Sequence, residues 1–553
     1  MATMTYLTVP IAAANLSQAS QQVRTALTAG AEMLELRTDY LENLSVELVR
    51  RLISEVRNAG GWQVPIIVTC RDKKQGGTLA YPQQLRIDVL AVAIKAGVDF
   101  IDLEYENFLR TEAQEKIRLA LSQSSKGRLI LSAHNFVAKF ADIRELYRDM
   151  LTVFPAAIPK IVYTANHIND CFKVFDLLHQ TGGERIIFCM GEAGLISRII
   201  AKKLGSFVTF ASLDEQSATA PGQLTIQQLK QLYRYDCIGS DTELFGVIAD
   251  PVGHSLSPAI HNACFAEKGM NKLYLPLLVR GSRDEFDRFL DNVLSRQWLD
   301  FRGFSVTIPH KENALEYVQA NQGFVEPLAE KIGAVNTLVV DSRFTIHEAR
   351  LSAYNTDYTA ALDAITAGMG ISRADLKALP VAVIGAGGVA RAVVAGLSDA
   401  GAKIKVYNRT VGKAEKLAVE FGCKFAGLDD LQNLDAKLLI NCTSIGMKKT
   451  GDRKQKTEER RQKTEDQTLK TSNETPVPQE CLKRGMVVFD TVYNPAETLL
   501  LRQAKKAGAK TIDGLSMFIN QALAQFKLFT GQDANADTMR KTVFDSLSDK
   551  HPE

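Results

Sequence analysis

A lysine and a histidine stand at neighbouring apolar stretches of the sequence. Lys160 lies inside the stretch at residues 158–163, and His134 follows the stretch at residues 129–133. A lysine in apolar surroundings loses its charge more easily, and its free amine can attack a carbonyl and form a Schiff base. Histidine can carry a proton near neutral pH. The pair predicts imine chemistry, and the alternative for Lys160 is a strand-end lysine that reaches solvent.

A second lysine, Lys311, ends another apolar stretch, and Asp357 follows later in the chain. A Lys–Asp pair suits proton transfer to a carbonyl that accepts a hydride, because the carboxylate holds the ammonium in place. A surface ion pair is the alternative. Ser255 and Ser257 can grip one carboxylate from the same side, although Ser257 also suits a helix start before proline.

An apolar strand at residues 381–384 runs into a glycine-rich turn and then into a helical pattern. Such a turn lets the backbone approach a pyrophosphate and places it at a helix N-terminus. The next strand, at residues 403–407, ends in polar and basic residues, whereas an NAD site has an acidic residue there. These residues suit a 2′-phosphate, so we predict an NADP(H) site; a structural turn is the alternative. The predicted cofactor-binding residues of this region are Gly385, Gly387, Gly388, Asn408, Arg409, Thr410 and Lys413.

Short apolar strands alternate with helix-length segments over the first 236 residues. This alternation predicts an α/β fold with a closed parallel barrel, a (β/α)8 TIM barrel. Chemistry in such a barrel takes place where the strands end, and Arg37, Arg71 and Arg198 stand there as possible clamps for a carboxylate and hydroxyls. The predicted strands are Tyr6–Ile11, Met33–Arg37, Ile66–Cys70, Phe100–Glu104, Leu129–Ala133, Ile158–Tyr163, Ile186–Met190 and Phe207–Phe210.

A second strand series begins near residue 244 and runs to the C-terminus. It predicts a second independently folding α/β unit, separated from the barrel at 1–236 by a linker at 237–242. Residues 448–475 are charged and contain a Gln-Lys-Thr-Glu repeat, which is typical of a solvated loop insertion.

Length and composition limit the functional classes. A chain of 553 residues with a net charge of +3 has several domains and no nucleic-acid or membrane signature. Its eight cysteines show no metal-ligand spacing, so we expect no structural metal and a reducing compartment. No targeting segment precedes the first strand, so the cytoplasm is the expected location. Small-molecule substrates are the expected partners.

The polar residues of the first half resemble type I 3-dehydroquinate dehydratase over residues 5–235. The resemblance implies that Lys160 forms an imine with the substrate ketone and that His134 moves the C2 proton to the departing hydroxyl. It implies substrate binding by Glu35, Arg37, Arg71, Arg198, Thr219 and Gln223. The motifs are Glu35-Leu36-Arg37-x-Asp39, Thr69-Cys70-Arg71, Leu131-Ser132-Ala133-His134-Asn135-Phe136, Pro159-Lys160 and Thr219-Ala220-Pro221-Gly222-Gln223.

Two positions depart from this family. Gln75 stands before Gly76-Gly77 where the family usually has a glutamate, which orients the catalytic histidine and stabilises its charged form. A neutral amide can do only the first, so we expect a working but weakened dehydratase. Thr219 stands where serine is common, and this change keeps the hydroxyl.

The second half resembles shikimate dehydrogenase over residues 245–446 and again after the insertion. The resemblance implies a two-lobed α/β dehydrogenase, with a substrate lobe at 243–355 and a Rossmann NADP-binding lobe at 356–510. It also implies that a C-terminal helix at 511–553 returns to the substrate lobe. The resemblance implies that Lys311 and Asp357 form the catalytic pair and that Ser255 and Ser257 bind the substrate carboxylate. Tyr358 follows Asp357 where many relatives carry glycine. The resemblance further implies substrate contacts by Thr307, Asn336, Tyr493 and Gln521, and cofactor contacts by Thr443, Gly514 and Met517.

The two resemblances support each other, because the product of the first reaction, 3-dehydroshikimate, is the substrate of the second. We therefore predict a bifunctional enzyme of the shikimate pathway, which leads to chorismate and the aromatic amino acids. One alternative is a shikimate/quinate dehydrogenase whose dehydratase half is weak because of Gln75. Another is a regulatory or scaffolding protein that kept both folds as binding modules.

Overall fold

A computed structural model describes residues 4–253, 255–341, 350–447 and 474–548. The chain forms two compact units, one of residues 1–243 with 270–300 and one of residues 244–269 with 301–553. Residues 448–473 of the predicted insertion lie outside the described residues. Among the helices that the structure describes, none is long and apolar enough to cross a membrane.

The first unit contains eight parallel strands in the order β7-β6-β5-β4-β3-β2-β1-β8. Because β1 pairs with both β2 and β8, the sheet curls into a nearly closed barrel, which confirms the predicted fold. The strands are buried on both faces, which explains why they read as apolar runs in the sequence. They are β1 (Tyr6–Ile11), β2 (Met33–Arg37), β3 (Ile66–Thr69), β4 (Phe100–Glu104), β5 (Arg128–Asn135), β6 (Ile158–Thr164), β7 (Ile186–Met190) and β8 (Val208–Phe210).

Helices connect these strands, and several begin at a side-chain cap. Ser45 Oγ, for example, accepts a hydrogen bond of 3.1 Å from the Leu48 amide at the start of α2. The unit also contains strand β10 (Lys272–Leu278). Its helices are α1 (Leu16–Thr28), α2 (Val46–Asn58), α3 (Gln83–Lys95), α4 (Tyr105–Phe108), α5 (Thr111–Ser122), α6 (Ile143–Val153), α7 (Phe172–Gln180), α8 (Leu195–Ile199) and α10 (Arg283–Leu294), where α9 belongs to the second unit.

The second unit begins with a mixed sheet in which β9, β11, β13, β14 and β12 lie side by side in that order. β9 and β11 are parallel, whereas β13 is antiparallel to both of its neighbours. The strands are β9 (Glu243–Ala249), β11 (Phe301–Val306), β12 (Phe324–Val325), β13 (Thr337–Asp341) and β14 (Arg350–Tyr354). The helices are α9 (Ser257–Glu267), α11 (Lys311–Ala320) and α12 (Pro327–Ile332).

Six parallel strands then form a second sheet in the order β17-β16-β15-β18-β19-β20. Counted within this sheet the order is 3-2-1-4-5-6, which is that of a dinucleotide-binding Rossmann fold. The strands are β15 (Pro380–Ile384), β16 (Lys403–Tyr407), β17 (Lys424–Ala426), β18 (Leu438–Asn441), β19 (Val487–Asp490) and β20 (Lys510–Ile512). The helices are α13 (Asp357–Met369), α14 (Gly388–Asp399), α15 (Val411–Phe421) and α16 (Leu499–Lys506).

The C-terminal segment forms two helices, α17 (Gly514–Thr530) and α18 (Ala536–Ser548). Gly531 ends α17 with a φ of 72°, a left-handed conformation that glycine adopts without strain. This glycine explains why the region predicted as one helix is interrupted.

Candidate active sites

One end of the barrel collects polar side chains around a cavity. These side chains stand at the carboxyl ends of the strands or in the loops that follow, because parallel strands all end at the same rim. The structure brings all of the predicted residues of the barrel together here: Glu35, Arg37, Arg71, His134, Lys160, Arg198, Thr219 and Gln223 line the cavity with Gln75, Met190 and Phe210.

Lys160 stands at the centre of this cavity and is only 4% exposed. Its Nζ donates to Asp102 Oδ2 at 2.7 Å and lies 3.6 Å from Glu35 Oε1. The Phe210 ring lies below the amine, with its centroid 4.5 Å from Nζ. The amine is therefore shielded from water and held in one place, as attack on a bound ketone requires.

Asp102 is a residue that sequence reasoning missed. It is fully buried, and its Oδ2 also accepts from Arg71 Nη2 at 2.8 Å while Ser132 Oγ donates to its Oδ1 at 2.6 Å. Burial opposes the charge of Asp102, but Arg71 and Lys160 outweigh it and lower the pKa of the carboxyl. The signal in the sequence was the spacing of Asp102 and Glu104 in an apolar strand, since residues two apart share one face.

His134 lies beside Lys160 on the neighbouring strand, because Ser132 pairs with Lys160 and His134 with Val162 in the β5–β6 register. Gln75 Oε1 accepts from the His134 amide at 3.2 Å and lies 3.4 Å from ring Nδ1. With the proton on Nδ1, this contact leaves Nε2 free to accept a proton. Burial, and then the charges of Arg71 and Lys160, hold the pKa of His134 well below its ordinary value.

Arg198 is the cation of this cavity that has no carboxylate partner among the described residues. It is 2% exposed, and its Nε and Nη2 have no hydrogen-bond partner within that part of the chain. Burial lowers the pKa of Arg198 to about 10, and the guanidinium lies 4.4 Å from the Phe188 ring centroid. A buried unpaired guanidinium is costly, so this position is suited to an anionic ligand group.

The remaining predicted residues of the barrel are held by neighbours. Glu35 Oε1 accepts from Thr69 Oγ1 at 2.8 Å, which turns its carboxylate towards Lys160. Arg37 forms a two-pronged pair with Asp39, at 2.9 Å for each contact. Gln223 Oε1 accepts from both the amide and the hydroxyl of Thr219, at 2.8 and 3.2 Å. The loop from Thr219 to Gln223 is therefore fixed by its own side chains.

In the second unit, Lys311 and Asp357 form a direct ion pair between Nζ and Oδ2. Both residues are buried, and each begins a helix, α11 and α13. Asn336 stands beside them: its Nδ2 donates to Thr356 Oγ1 at 2.9 Å, and its Oδ1 accepts from the Thr356 amide at 2.9 Å. The structure thus places a buried lysine–aspartate ion pair and a polar amide side by side. Thr307 lies half-buried in the loop before α11.

Ser255 and Ser257 meet at the start of α9, where the Ser257 amide donates to Ser255 Oγ at 3.3 Å. Tyr493 lies near this segment, since the Leu256 backbone is close enough to the Tyr493 hydroxyl to lower its pKa, against the larger effect of burial. Burial raises the pKa of Tyr493 to about 12, so the hydroxyl keeps its proton. The Tyr493 ring stacks on Phe518 with centroids 4.1 Å apart.

Gln525, on α17, was also missed by sequence reasoning. It is 1% exposed; its Oε1 accepts from Ser305 Oγ at 2.7 Å, and its Nε2 donates to the Asn336 carbonyl at 3.1 Å. The predicted residue Gln521 lies one turn earlier on the same helix face, and its Nε2 donates to the Phe518 carbonyl at 2.9 Å. No sequence motif marked Gln525.

The glycine-rich turn follows β15 at the point where the strand order of the Rossmann sheet reverses, between β15 and β18. Gly385 has a φ of 111°, and a Cβ atom there would lie 3.1 Å from Thr443 Cγ2. Asn441 Oδ1 holds the Thr443 amide and hydroxyl at 2.9 and 2.7 Å. A Cβ atom on Gly387 would meet nothing within 4 Å, so there is open space beside the backbone of the turn, where a ligand can approach it.

The residues after β16 are exposed and basic. Arg409 and Lys413 form no ion pair within the described part of the chain, and Asn408 Nδ2 donates to the Thr410 carbonyl at 2.9 Å. Gly514 and Met517 lie in the first turn of α17, where a Cβ atom on Gly514 would lie 2.5 Å from the Thr491 carbonyl oxygen. The described residues contain no cluster of side chains that could hold a metal ion.

Models of known families match most of the chain. Residues 7–240 match type I 3-dehydroquinase, and residues 247–338 match the shikimate dehydrogenase substrate binding domain. Residues 369–471 match shikimate/quinate 5-dehydrogenase, and residues 514–544 match the shikimate 5′-dehydrogenase C-terminal domain. The dehydroquinase match lies in the first unit, and the shikimate dehydrogenase matches lie mainly in the second.

Similar proteins include a bifunctional 3-dehydroquinate dehydratase/shikimate dehydrogenase, chloroplastic, of Arabidopsis thaliana. It is 35% identical over 542 residues, which cover 95% of this chain and 82% of the relative. A shikimate dehydrogenase (NADP(+)) of Methanosarcina acetivorans is 38% identical and covers 55% of this chain and 98% of the relative. The crystal structure of a Thermus thermophilus shikimate 5-dehydrogenase with NADP(H) and shikimate is 33% identical, with a TM-score of 0.44, and covers 55% of this chain and 100% of that chain.

Proposed function

Because the chain belongs to the family of bifunctional 3-dehydroquinate dehydratase/shikimate dehydrogenases, we propose that each unit contains one of the two active sites described above. The enzyme dehydrates 3-dehydroquinate to 3-dehydroshikimate and reduces this product to shikimate with NADPH. The Arabidopsis relative is named for both activities, and its alignment covers 95% of this chain.

Lys160 is the residue to which the dehydratase substrate becomes attached. Lys160 first releases a proton, and its free amine then attacks the C3 ketone of 3-dehydroquinate; loss of water gives an imine. His134 Nε2 then removes the C2 proton and returns it to the C1 hydroxyl as water departs. Hydrolysis of the imine releases 3-dehydroshikimate and frees Lys160. The Lys160–Asp102 hydrogen bond of 2.7 Å supports this assignment, because it fixes the amine inside the cavity.

Arg198 is assigned to the substrate carboxylate. The other cations of the cavity already have acidic neighbours, Arg71 with Asp102 and Glu104, Arg37 with Asp39, and Lys160 with Asp102. A carboxylate bound at Arg198 would satisfy the unpaired Nε and Nη2 atoms. Thr219 and Gln223 are then placed to hold the hydroxyls of the ring from the neighbouring loop.

In the second unit, Lys311 donates a proton to the carbonyl oxygen of 3-dehydroshikimate, and Asp357 holds the ammonium in place. Ser255 and Ser257 bind the carboxylate, while Thr307, Asn336, Tyr493 and Gln521 contact the ring. Bound NADPH supplies the hydride. The residues present fit this cofactor. In the turn of Gly385, Gly387 and Gly388, the open space for a pyrophosphate lies at Gly387. Arg409 and Lys413 suit a 2′-phosphate beside Asn408 and Thr410. We assign Thr443, Gly514 and Met517 to the nicotinamide side.

The proposal depends most on the buried and anchored Lys160 amine, and borohydride trapping tests whether this amine forms an imine with the substrate. Treatment of the enzyme with 3-dehydroquinate and borohydride reduces an imine to a stable adduct, and peptide mass spectrometry locates it. We expect one adduct on Lys160 and none in Lys160→Met. Lack of any adduct in the wild-type chain would contradict the imine mechanism. A separate assay of the untreated enzyme tests the cofactor. A rate of 3-dehydroshikimate reduction with NADH equal to that with NADPH would contradict the role of Arg409 and Lys413.

We further propose the domain boundaries and the cellular location. We place the barrel at 1–236, the linker at 237–242, the substrate lobe at 243–355 with 511–553, and the Rossmann lobe at 356–510. A cytoplasmic location is supported by the eight cysteines, all of which are free thiols in the structure.

A further inference from the structure

The side chain of Lys311 packs directly against the glycine-rich turn. A Cβ atom built on Gly388 would lie 2.9 Å from Cδ of Lys311 and 3.4 and 3.6 Å from its Cβ and Cγ. Ordinary carbon–carbon contacts are about 3.5–4.0 Å, so glycine is the residue that leaves room for this lysine. The neighbouring Gly387 differs, because a Cβ atom there would meet nothing within 4 Å.

The lysine cannot move away from this contact without losing another. Its Nζ is bound to Asp357, and its residue as a whole is 6% exposed. The stem between the backbone and the ammonium is therefore held between Gly388 at one side and Asp357 at its tip. A methyl group at position 388 would displace Cδ by roughly half an ångström if contacts return to ordinary distances.

Arg391, in the first turns of α14, binds the same region from a second direction. Its Nε donates to the Ile332 carbonyl at 2.7 Å, at the C-terminal end of α12, where a cation is favoured. The chain that follows Ile332 returns to the lysine, since the Val335 amide donates to the Lys311 carbonyl at 2.9 Å. α14 thus contacts the Lys311 side chain directly at Gly388. Through Arg391 it also holds the start of the segment in which Val335 binds the Lys311 backbone.

We propose that Gly388 and Arg391 are positioning residues for Lys311, so that the turn which receives the cofactor also sets the place of the proton donor. This inference rests on the dehydrogenase function proposed above. It differs from the general role of such glycines, which is to let the backbone approach the pyrophosphate. Here the absent side chain at position 388 serves the lysine.

Gly388→Ala tests the proposal, with Gly182→Ala as the control. Position 182 lies in the exposed loop between α7 and β7, where an added Cβ atom would meet nothing within 4 Å. In Gly388→Ala we expect kcat for 3-dehydroshikimate reduction to fall about tenfold, since small misplacements of a catalytic group are costly. NADPH affinity, measured by fluorescence titration, should stay within about twofold, and the solvent deuterium isotope effect on kcat should rise as proton transfer slows.

A pure cofactor role for Gly388 gives the opposite pattern, with weaker NADPH binding and an unchanged kcat at saturating cofactor. That result would overturn the proposal, as would wild-type kinetics in Gly388→Ala. Arg391→Met provides the second variant and should lower kcat with NADPH affinity retained, whereas Arg373→Met, which removes an exposed ion pair with Asp363, should behave as wild type. If the wild-type enzyme fails to reduce 3-dehydroshikimate with NADPH, the proposed function fails instead.

Discussion

Replacement of Gln75 by glutamate examines the electrostatics around His134. The wild-type amide can orient the imidazole but cannot stabilise its charged form, and the neighbouring cations Arg71 and Lys160 oppose that form. His134 becomes charged each time it removes the C2 proton. We therefore expect Gln75→Glu to accelerate dehydration.

The magnitude follows from the distance of 3.4 Å between Gln75 Oε1 and His134 Nδ1. Two unit charges at that distance attract by about 5 kcal/mol at an effective dielectric constant of about 20. Measured shifts for such neighbours are about 1–3 pKa units, or about 1.4–4 kcal/mol. If half of a shift of about 2 units is expressed in the transition state, kcat rises about tenfold.

The assay follows the absorbance of the conjugated enone at several pH values. The pKa of His134 lies well below its ordinary value in the wild-type chain, so the imidazole is a free base at neutral pH. In the variant its pKa is higher, so the fall in rate on the acidic side should begin at a pH about 1–3 units higher. Gln63→Glu, at an exposed position before β3, is the control and should change neither rate nor profile. An unchanged rate and pH profile in Gln75→Glu would show that the charge at position 75 does not act on His134.

Two further predictions concern buried charged groups. Arg198→Met should raise KM for 3-dehydroquinate about 10–150-fold through loss of a charged hydrogen bond, while 3-dehydroshikimate reduction stays at the wild-type rate; an unchanged KM would contradict carboxylate binding at Arg198. Burial raises the pKa of Asp490 from 3.8 to about 6, so the folded state favours the protonated carboxyl. This preference stabilises the fold fully below about pH 4, and the stabilisation is lost as the pH rises through about 6. The free energy of unfolding of the wild-type chain should therefore fall by up to about 3 kcal/mol between pH 4 and pH 7, and Asp490→Asn should not show this fall. Amide exchange protection of β19 at the two pH values measures it, and an identical pH dependence in wild type and Asp490→Asn would contradict the shift.

Much of the barrel could be predicted because each strand is buried on both faces. Such strands appear as short apolar runs, so β1, β2, β4 and β7 begin and end where the sequence predicted. Errors occurred where polar residues continue a strand. β5 extends from Arg128 to Asn135, beyond the predicted Leu129–Ala133, because its last residues pair with β6 in spite of their polarity.

The candidate sites could be predicted only where a residue stands out locally. Lys160 does so, as a charge inside an apolar strand. Asp102 also stands out as a charge in an apolar strand, but its role depends on Arg71 and Lys160, which are distant in the chain. Gln525 carries no local signal, and its partner Ser305 is distant as well. Such pairings depend on the closed sheet and on helix packing, which no local pattern encodes.

We propose that one chain contains two independent active sites, one in each unit. A paired kinetic assay of the wild-type chain, Lys160→Met and Lys311→Met separates the two sites. We expect Lys160→Met to lose dehydration of 3-dehydroquinate while reducing 3-dehydroshikimate with NADPH at the wild-type rate, and Lys311→Met to show the reverse. Loss of both activities on either substitution, or full retention of dehydration in Lys160→Met, would contradict the claim.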